Sequence, residues 1–453
     1  MRRGYAALAL GLLVCGAVRA ASAQTPAVKF KPRTDVVVPG ETPFDLVAAD
    51  LNKDQKSDIA VANMDSGDIA VLLGKGDGSF ETGVTYGAGD FPTAIAAGKV
   101  TNDDNVDLAV ANDGSSNVSL FIGSATGTFT GPTNTDTALS PPEAVVLADF
   151  NGDTKLDLAT AELFDDTVTV RLGNRNATGT FGDARSVNVA GGPFGMAAGD
   201  FDGDTKLDLV VSANDVNRVV ILHGNGDGTF VAPDCALVPT PAGCLTVGGV
   251  DSAPAGVTVG DLNGDQKLDI VSANNASDDI SVLINNGDGT FAAALNLGTG
   301  FTSFPESVRI ADFNGDGKAD IVAVNNETAN IAIFTGHGDG TFDTAVFFAL
   351  PDLSSPLAVE VTDLNGDGQP DVVTVNADAA SMSVLLNDSA VQCTGDCDGS
   401  DSVTVEELVR GVNIALGTAP LSDCPSFDKN DSGDVTVEEL IIGVNNALGE
   451  CSA

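Results

Sequence analysis

The chain has 453 residues, with 64 acidic against 21 basic side chains, and a formal net charge of −43 argues against nucleic acid or an anionic membrane surface as a partner. Its length suits one large repeat array plus a small second domain, and no stretch after the leader is apolar for the length of a membrane span. Much of the acidity falls at a few repeated positions, where a divalent cation would offset it.

Residues 1–23 read as a signal peptide. Arg2 and Arg3 form a basic start, Ala6 to Val18 an apolar core, and Ala21-Ser22-Ala23 a small-residue cleavage site, so the mature chain would begin near Gln24. Removing Cys15 with the leader leaves six cysteines, an even set that suits disulfides in an exported protein. Val28-Lys29-Phe30, with Val36-Val37-Val38 beyond it, has no loop of its own and is expected to lend a strand to the far end of the array.

Between residues 50 and 371 one nine-residue carboxylate spacing returns seven times. Its positions 1, 3, 5 and 9 are Asp50, Asn52, Asp54 and Asp58 in the first copy and Lys99, Thr101, Asp103 and Asp107 in the second. The third has Asp149, Asn151, Asp153 and Asp157, and the fourth Asp200, Asp202, Asp204 and Asp208. Then come Asp261, Asn263, Asp265 and Asp269, followed by Asp312, Asn314, Asp316 and Asp320, and finally Asp363, Asn365, Asp367 and Asp371. Side chains at positions 1, 3 and 5 of a tight loop can converge on one point. Position 7 can add a backbone carbonyl, and position 9 can close the shell from the next strand. Such an all-oxygen set suits Ca²⁺. The second copy breaks the pattern: Lys99 replaces the first carboxylate and is expected to neutralise Asp103 and Asp107, so this loop should hold no ion.

Each loop is entered and left by short apolar runs, such as Val145 to Leu147 before and Ile59 to Val61 after. A third run follows (Ile69 to Leu73, Val219 to Leu222), then a Gly-Asp-Gly-Thr/Ser-Phe turn and a weaker fourth segment. Four strands per repeat of about 50 residues, repeated seven times with no helical periodicity, predict an all-β seven-bladed β-propeller over residues 28–390. The seventh repeat lacks its last strand, which the N-terminal segment could supply. The one long interval, between the loops at 200 and 261, holds a Pro-rich insertion with Cys235 and Cys244, expected to be bridged.

Loops such as Asp363-Leu364-Asn365-Gly366-Asp367-Gly368 with Asp371 resemble the FG-GAP/VCBS repeats of bacterial secreted proteins and of the integrin α-subunit propeller. The resemblance implies seven blades, Ca²⁺ in inter-strand loops, and roles in adhesion or recognition.

Residues 393–453 change character. Asp396, Asp398, Ser400 and Glu407, then Asp428, Asn430, Ser432 and Glu439, stand at positions 1, 3, 5 and 12 of two EF-hand-like loops. Each leads into a helix, Glu407 to Leu416 and Glu439 to Leu448. Their stripes, Leu408, Val412 and Leu416 on one and Leu440, Val444 and Leu448 on the other, are expected to pack together. Two such units 32 residues apart resemble type I dockerins, which implies a small α-helical domain of paired EF-hand-like loops and a cohesin-like partner. Val405-Glu406 and Val437-Glu438 depart from the hydroxyl pair many dockerins use for that contact, and Cys393, Cys397, Cys424 and Cys451 add staples.

Catalysis finds little support. The two histidines, His223 and His337, sit at the end of a third strand or in its following turn, and Tyr86 is the one tyrosine outside the leader. With no Trp, and with Phe recurring at equivalent places, sugar stacking is weakened as well. The leading reading is a secreted, non-enzymatic recognition or adhesion protein binding about eight Ca²⁺ by ligand counting, with an extracellular protein or glycan as ligand. The alternative is a polysaccharide-active propeller delivered by its dockerin-like tail.

Overall fold

The computed structural model describes residues 28–137, 140–189, 191–235, 243–249, 251–389, 394–397, 403–428 and 433–448; the leader at 1–23 lies outside them. The repeats form seven antiparallel sheets, and together they make the seven-bladed propeller expected from the sequence. In the first six, inner, second, third and outer strands follow in chain order; the seventh takes its outer strand from the N-terminal segment.

The inner strands are Pro43–Ala49, Pro92–Gly98, Pro142–Ala148, Pro193–Gly199, Pro254–Gly260, Pro305–Ala311 and Pro356–Thr362. All seven begin on proline. These strands are sheet edges facing the central channel, so a missing N–H at their first residue leaves no ladder bond unmade. The second strands, such as Asp58–Asn63 and Asp320–Asn325, are buried at every position because each blade is covered by a neighbour on both faces. Hence their sequences read as continuous Ile/Val/Ala runs instead of alternating ones.

Apolar clusters lie between blades. One joins Leu46 and Ile59 of the first blade to Val373, Val375 and Met382 of the seventh, so the ring is closed by side-chain packing as well as by the backbone. The N-terminal segment does supply the missing strand. Thr34–Val37 pairs antiparallel with Ser381–Leu385, Thr34 opposite Val384, and Phe30 continues the pairing to Asn387. The Phe30 ring stands edge-on to Phe348 at 4.8 Å, pinning the chain start to the sixth blade. In the fourth blade the outer strand is split into Phe230–Val231 and Cys244–Thr246, and the expected Cys235–Cys244 disulfide ties the ends of the insertion together.

The tail contributes two short helices, α1 (Val405–Ala415) and α2 (Val437–Leu448), and a Cys397–Cys424 disulfide. Their mutual packing differs from the expected stripes. Leu408 and Leu440 do join the small core, but Leu416 and Leu448 are 71% and 83% exposed, and Val412 and Val444 are also exposed. The buried faces run instead through Glu407, Gly411 and Ile414, and through Glu439, Gly443 and Asn446. The cause is Phe427, fully buried between the helices: a Cβ on Gly411 would come within 2.5 Å of its ring. The glycines, not the leucines, mark the contact face.

Candidate metal loops and the opposite face

Each acidic loop follows directly on an inner strand, so all seven lie on one face of the ring. Their second residues, Leu51, Val100, Phe150, Phe201, Leu262, Phe313 and Leu364, are buried plugs that fix the loop to the blade. The position-9 aspartates complete the attachment. In the first loop Asp58 accepts the Leu51 N–H at 2.9 Å with one oxygen and the Gly74 N–H at 2.7 Å with the other. The same pair of bonds recurs for Asp157, Asp208, Asp269, Asp320 and Asp371. It recurs for Asp107 as well, in the loop that lacks the first carboxylate, where Val100, Thr101 and Gly123 donate. This residue therefore clamps the loop to the end of the third strand whether or not an ion could bind. Burial raises Asp58 and Asp371 to about 6 and Asp320 to about 7, and the clamping N–H groups oppose that rise.

Positions 1, 3 and 5 form the candidate seat. Oδ1 of Asp50 and Oδ1 of Asn52 both accept the Asp54 N–H, at 3.0 and 2.9 Å. The same convergence brings Asn151 together with Asp149 on the Asp153 N–H, Asn263 with Asp261 on the Asp265 N–H, and Asn314 with Asp312 on the Asp316 N–H. These asparagines differ from the expected pure ligands in one respect. Asn151, Asn263 and Asn314 each spend an Oδ1 lone pair on a backbone N–H of their own loop, at 2.9, 3.0 and 3.0 Å, so they order the loop and would share that oxygen with an ion. The Asn314 amide nitrogen is buried without a partner, which leaves its oxygen as the working end of the side chain.

The three-carboxylate grouping occurs in the fourth loop, where Asp200, Asp202 and Asp204 each offer an oxygen within 4.8 Å of the others; at Asn52, Asn151, Asn263, Asn314 and Asn365 an amide replaces the middle carboxylate. Either donor set is one of hard oxygens held close together, and it fits Ca²⁺. In the seventh loop the Asn365 side chain spans to its neighbour, donating to Asp367 and accepting its N–H. In all but the second and seventh loops position 7 is a lysine, and it pairs with position 5 where Lys155 meets Asp153 at 2.7 Å and Lys267 meets Asp265 at 3.0 Å. Those lysines and an incoming cation would compete for the same carboxylate.

In the second loop the expected partner of Asp103 is corrected. Among the described residues Lys99 forms no ion pair with Asp103 or Asp107; the Thr101 hydroxyl, the Asn105 N–H and the Asn105 side-chain amide bond to Asp103 instead. Hydroxyl and amide donors, shorter than a lysine, fill the loop from within.

In the tail, Glu407 caps α1: its Oε2 accepts from the Thr404 N–H and hydroxyl while the Thr404 hydroxyl accepts the Glu407 N–H, and Oε1 accepts from the Cys397 N–H. Glu439 repeats the arrangement with Thr436. Asp396 and Asp428 are buried nearby; Asp398, Ser400, Asn430 and Ser432, with Cys393 and Cys451, lie outside the described residues.

The sequence reading passed over the opposite face. There the central channel opens between inner strands as a cavity of about 450 Å³, lined by Asp45, Glu143, Glu306, Glu360 and Arg309. Arg309 donates twice to Glu360, at 3.1 and 3.2 Å. Burial raises Asp45 to about 6 and Glu143 and Glu306 to about 7. These three acids stand second or third in their inner strands, at the end away from the acidic loops. The signal in the sequence was an acid just inside a segment otherwise apolar, as in Pro142-Glu143-Ala144-Val145. On this side of the ring the connecting loops expose Phe301 and Leu353, each 90% accessible, with Phe91, Phe164 and Phe304.

A carboxyl raised above its unfolded value adds stability that is full below about pH 4 and is lost as pH rises through the folded pKa of about 6 to 7. Replacing Glu143 and Glu306 together by Gln should therefore flatten the fall in unfolding free energy between pH 5 and pH 8 by roughly 1 kcal/mol per site, a figure reduced for water in the channel. Denaturant titrations at the two pH values check this; identical pH slopes for both proteins would contradict it.

The architecture is thus that of a repeat propeller with one acidic loop per blade. The chain belongs to the FG-GAP-like repeat family, whose profile matches residues 50–110, 99–160, 149–211, 206–272, 261–323 and 312–374. No curated protein sequence matches it. Solved structures share the fold at low identity. A catalytically inactive virginiamycin B lyase from Staphylococcus aureus, solved with quinupristin, aligns at TM-score 0.55 and 10% identity over 79% of this chain and 99% of that one. BBS1N from its complex with ARL6DN aligns at 0.52 and 10% over 80% and 98%. A protein from Lactobacillus plantarum aligns at 0.51 and 14% over 68% and 86%.

Proposed function

We propose that this is a secreted, Ca²⁺-stabilised recognition or adhesion protein that meets its ligand, an extracellular protein or glycan, on the propeller face opposite the acidic loops. An FG-GAP propeller fits a non-catalytic recognition role, and two disulfides fit an oxidising, extracellular compartment. Among the described residues no helix is long and apolar enough to cross a membrane. The observation that carries the reading is this face of the propeller, where solvent-exposed Phe301 and Leu353, in loops that enter inner strands, share a side with the acid-lined channel opening; exposed apolar side chains on a face with a polar pocket are how binding surfaces are built. Calcium supports this role from the other side. It would occupy six loops, with two more ions held by the tail, and the loops lie at blade seams: the Gly78 N–H donates to Leu364 O and the Gly340 N–H to Leu262 O, each from the adjoining blade.

The full-length protein should retain extracellular proteins or glycans from an array, and Phe301→Ser with Leu353→Ser should abolish retention without lowering the melting temperature. Retention unchanged in that variant, or turnover of a retained polysaccharide by the wild type, would overturn the reading. A docking role for the tail is favoured by one further observation: Val405, Val409, Val412 and Leu416 on α1 and their counterparts Val437, Ile441, Val444 and Leu448 on α2 are all exposed, leaving two equivalent apolar stripes for a cohesin-like partner.

A further inference from the structure

The fourth repeat departs from the others at two positions. Position 3 of its loop is Asp202, where the other loops carry Asn or Thr, and the residue fifteen beyond position 9 is His223, where they carry Leu73, Ile122, Leu172, Ile284, Thr335 and Leu386. In the sequence these changes are 21 positions apart. In the fold they meet: His223 Nδ1 lies 3.5 Å from Asp202 Oδ2 and 3.6 Å from Asp208 Oδ2.

Nδ1 is sealed from solvent and, at these distances, makes no hydrogen bond of ordinary geometry, so the two carboxylates face it only as ion-pair neighbours; Asp202 takes the Asp204 N–H with its other oxygen, Oδ1. A buried polar atom left so is costly unless something else satisfies it. The separations are informative. Two ligands about 2.1 Å from one metal in tetrahedral geometry stand about 3.4 Å apart, close to what the imidazole nitrogen and each carboxylate oxygen show here. Asp208 is already held in place by the Phe201 and Gly224 N–H groups, so one ligand is fixed before any ion arrives. Gly289 of the fifth blade closes the far side of the ring, where a Cβ would stand 3.5 Å from His223 Cε1. At five of the six equivalent positions an aliphatic side chain stands here, as Leu73 does under Gly127 and Leu386 under Gly78.

We propose that Asp202, Asp208 and His223 form a seat for a borderline divalent metal of the Zn²⁺ type, sharing two carboxylates with the fourth loop but distinct in chemistry from the all-oxygen sets. An imidazole nitrogen with two carboxylates selects Zn²⁺, Co²⁺ or Ni²⁺ over Ca²⁺, which takes oxygen ligands almost exclusively. The site deepens the reading of the loops as cation sites, since Asp202 and Asp208 both belong to the fourth of them, yet its ligand chemistry is tested separately. Its effect would be to bind the loop and the third strand of one blade together beside the neighbouring blade's turn.

The test uses full-length protein saturated with Ca²⁺ and titrated with Zn²⁺ by calorimetry, with Co²⁺ absorption as the coordination readout. Wild type should take up one Zn²⁺ and give a Co²⁺ spectrum of low coordination number with a nitrogen ligand. His223→Leu, which restores the side chain of other seams, should fold with the same Ca²⁺ count and weaken Zn²⁺ about 100-fold or more. Asp202→Asn should weaken it too, whereas His337→Asn should not. Equal Zn²⁺ affinity in wild type and His223→Leu would overturn the proposal even if Ca²⁺ fills the other loops. Zn²⁺ held through His223 in a chain that binds no Ca²⁺ would leave it standing and defeat the calcium reading instead.

Discussion

Stripping divalent ions from the full-length protein with excess chelator should lower its melting temperature by roughly 10–20 °C. An ion bound only to the native state at 100 times its dissociation constant adds about 2.7 kcal/mol, and several such sites act on one cooperative ring whose unfolding entropy grows with its length. The ionic argument points the same way. Vacating a loop leaves the carboxylates of positions 1 and 5, such as Asp312 and Asp316, close together with backbone N–H groups and a position-7 lysine as their offset. Because the loops also brace adjoining blades, the loss should appear as one cooperative shift rather than as fraying of single loops. Readdition of Ca²⁺ should restore the original transition, and a melting curve unmoved by chelator would mean that the loops carry no stabilising ion.

The position-9 aspartates call for a different result. Asp107→Asn should destabilise the protein by about 2–4 kcal/mol while leaving the number of bound ions unchanged, since the amide would turn an N–H donor toward the donors of Val100 and Thr101 or of Gly123. The choice of the second loop matters. Lys99 and Thr101 have replaced its first ligands, so whatever Asp107 contributes there is structural. Asp103→Ala, on the exposed side of the same loop, should cost no more than about 0.5 kcal/mol. Denaturant unfolding with parallel ion counting separates the two functions. Neutral stability in Asp107→Asn, or a lost ion, would show that the clamp has been misassigned.

Much of the architecture was legible because the repeat is written in strong residues. Asp at positions 1, 5 and 9, with Gly-Asp-Gly-Thr-Phe turns at fixed offsets, set the blade count, and the absence of an outer strand after Leu386 pointed to the N-terminal segment from Val28 to Val38, of which Thr34–Val37 makes the pairing at the ring's closure. What could not be read there depends on distance in space. A carboxylate that coordinates and one that clamps two N–H groups have the same letter, so Asp58 and its equivalents could not be split into roles before Leu51 and Gly74 were seen to converge on them. The same holds for Asn151, Asn263 and Asn314, whose amide oxygens serve the loop backbone as well as any ion. Lys99 was assigned to Asp103 by charge alone, although short donors from Thr101 and Asn105 occupy that carboxylate. The tail misled for a related reason: hydrophobic periodicity favours leucines, and the contact between α1 and α2 is made by Gly411 and Gly443 on Phe427. His223 drew no role from its place at the end of a third strand because Asp202 and Asp208 are adjacent to it only after the strands pair.

The central claim, that acidic loops of this propeller are Ca²⁺ sites and that the second is not, is tested most directly by counting ions on the intact chain. Native mass spectrometry in Ca²⁺ free of transition metals should show about eight ions at saturation, six from the propeller loops and two from the tail, by ligand counting. Lys99→Asp should then add one. Two ions or fewer on the wild type, or nine with no change on Lys99→Asp, would contradict the account.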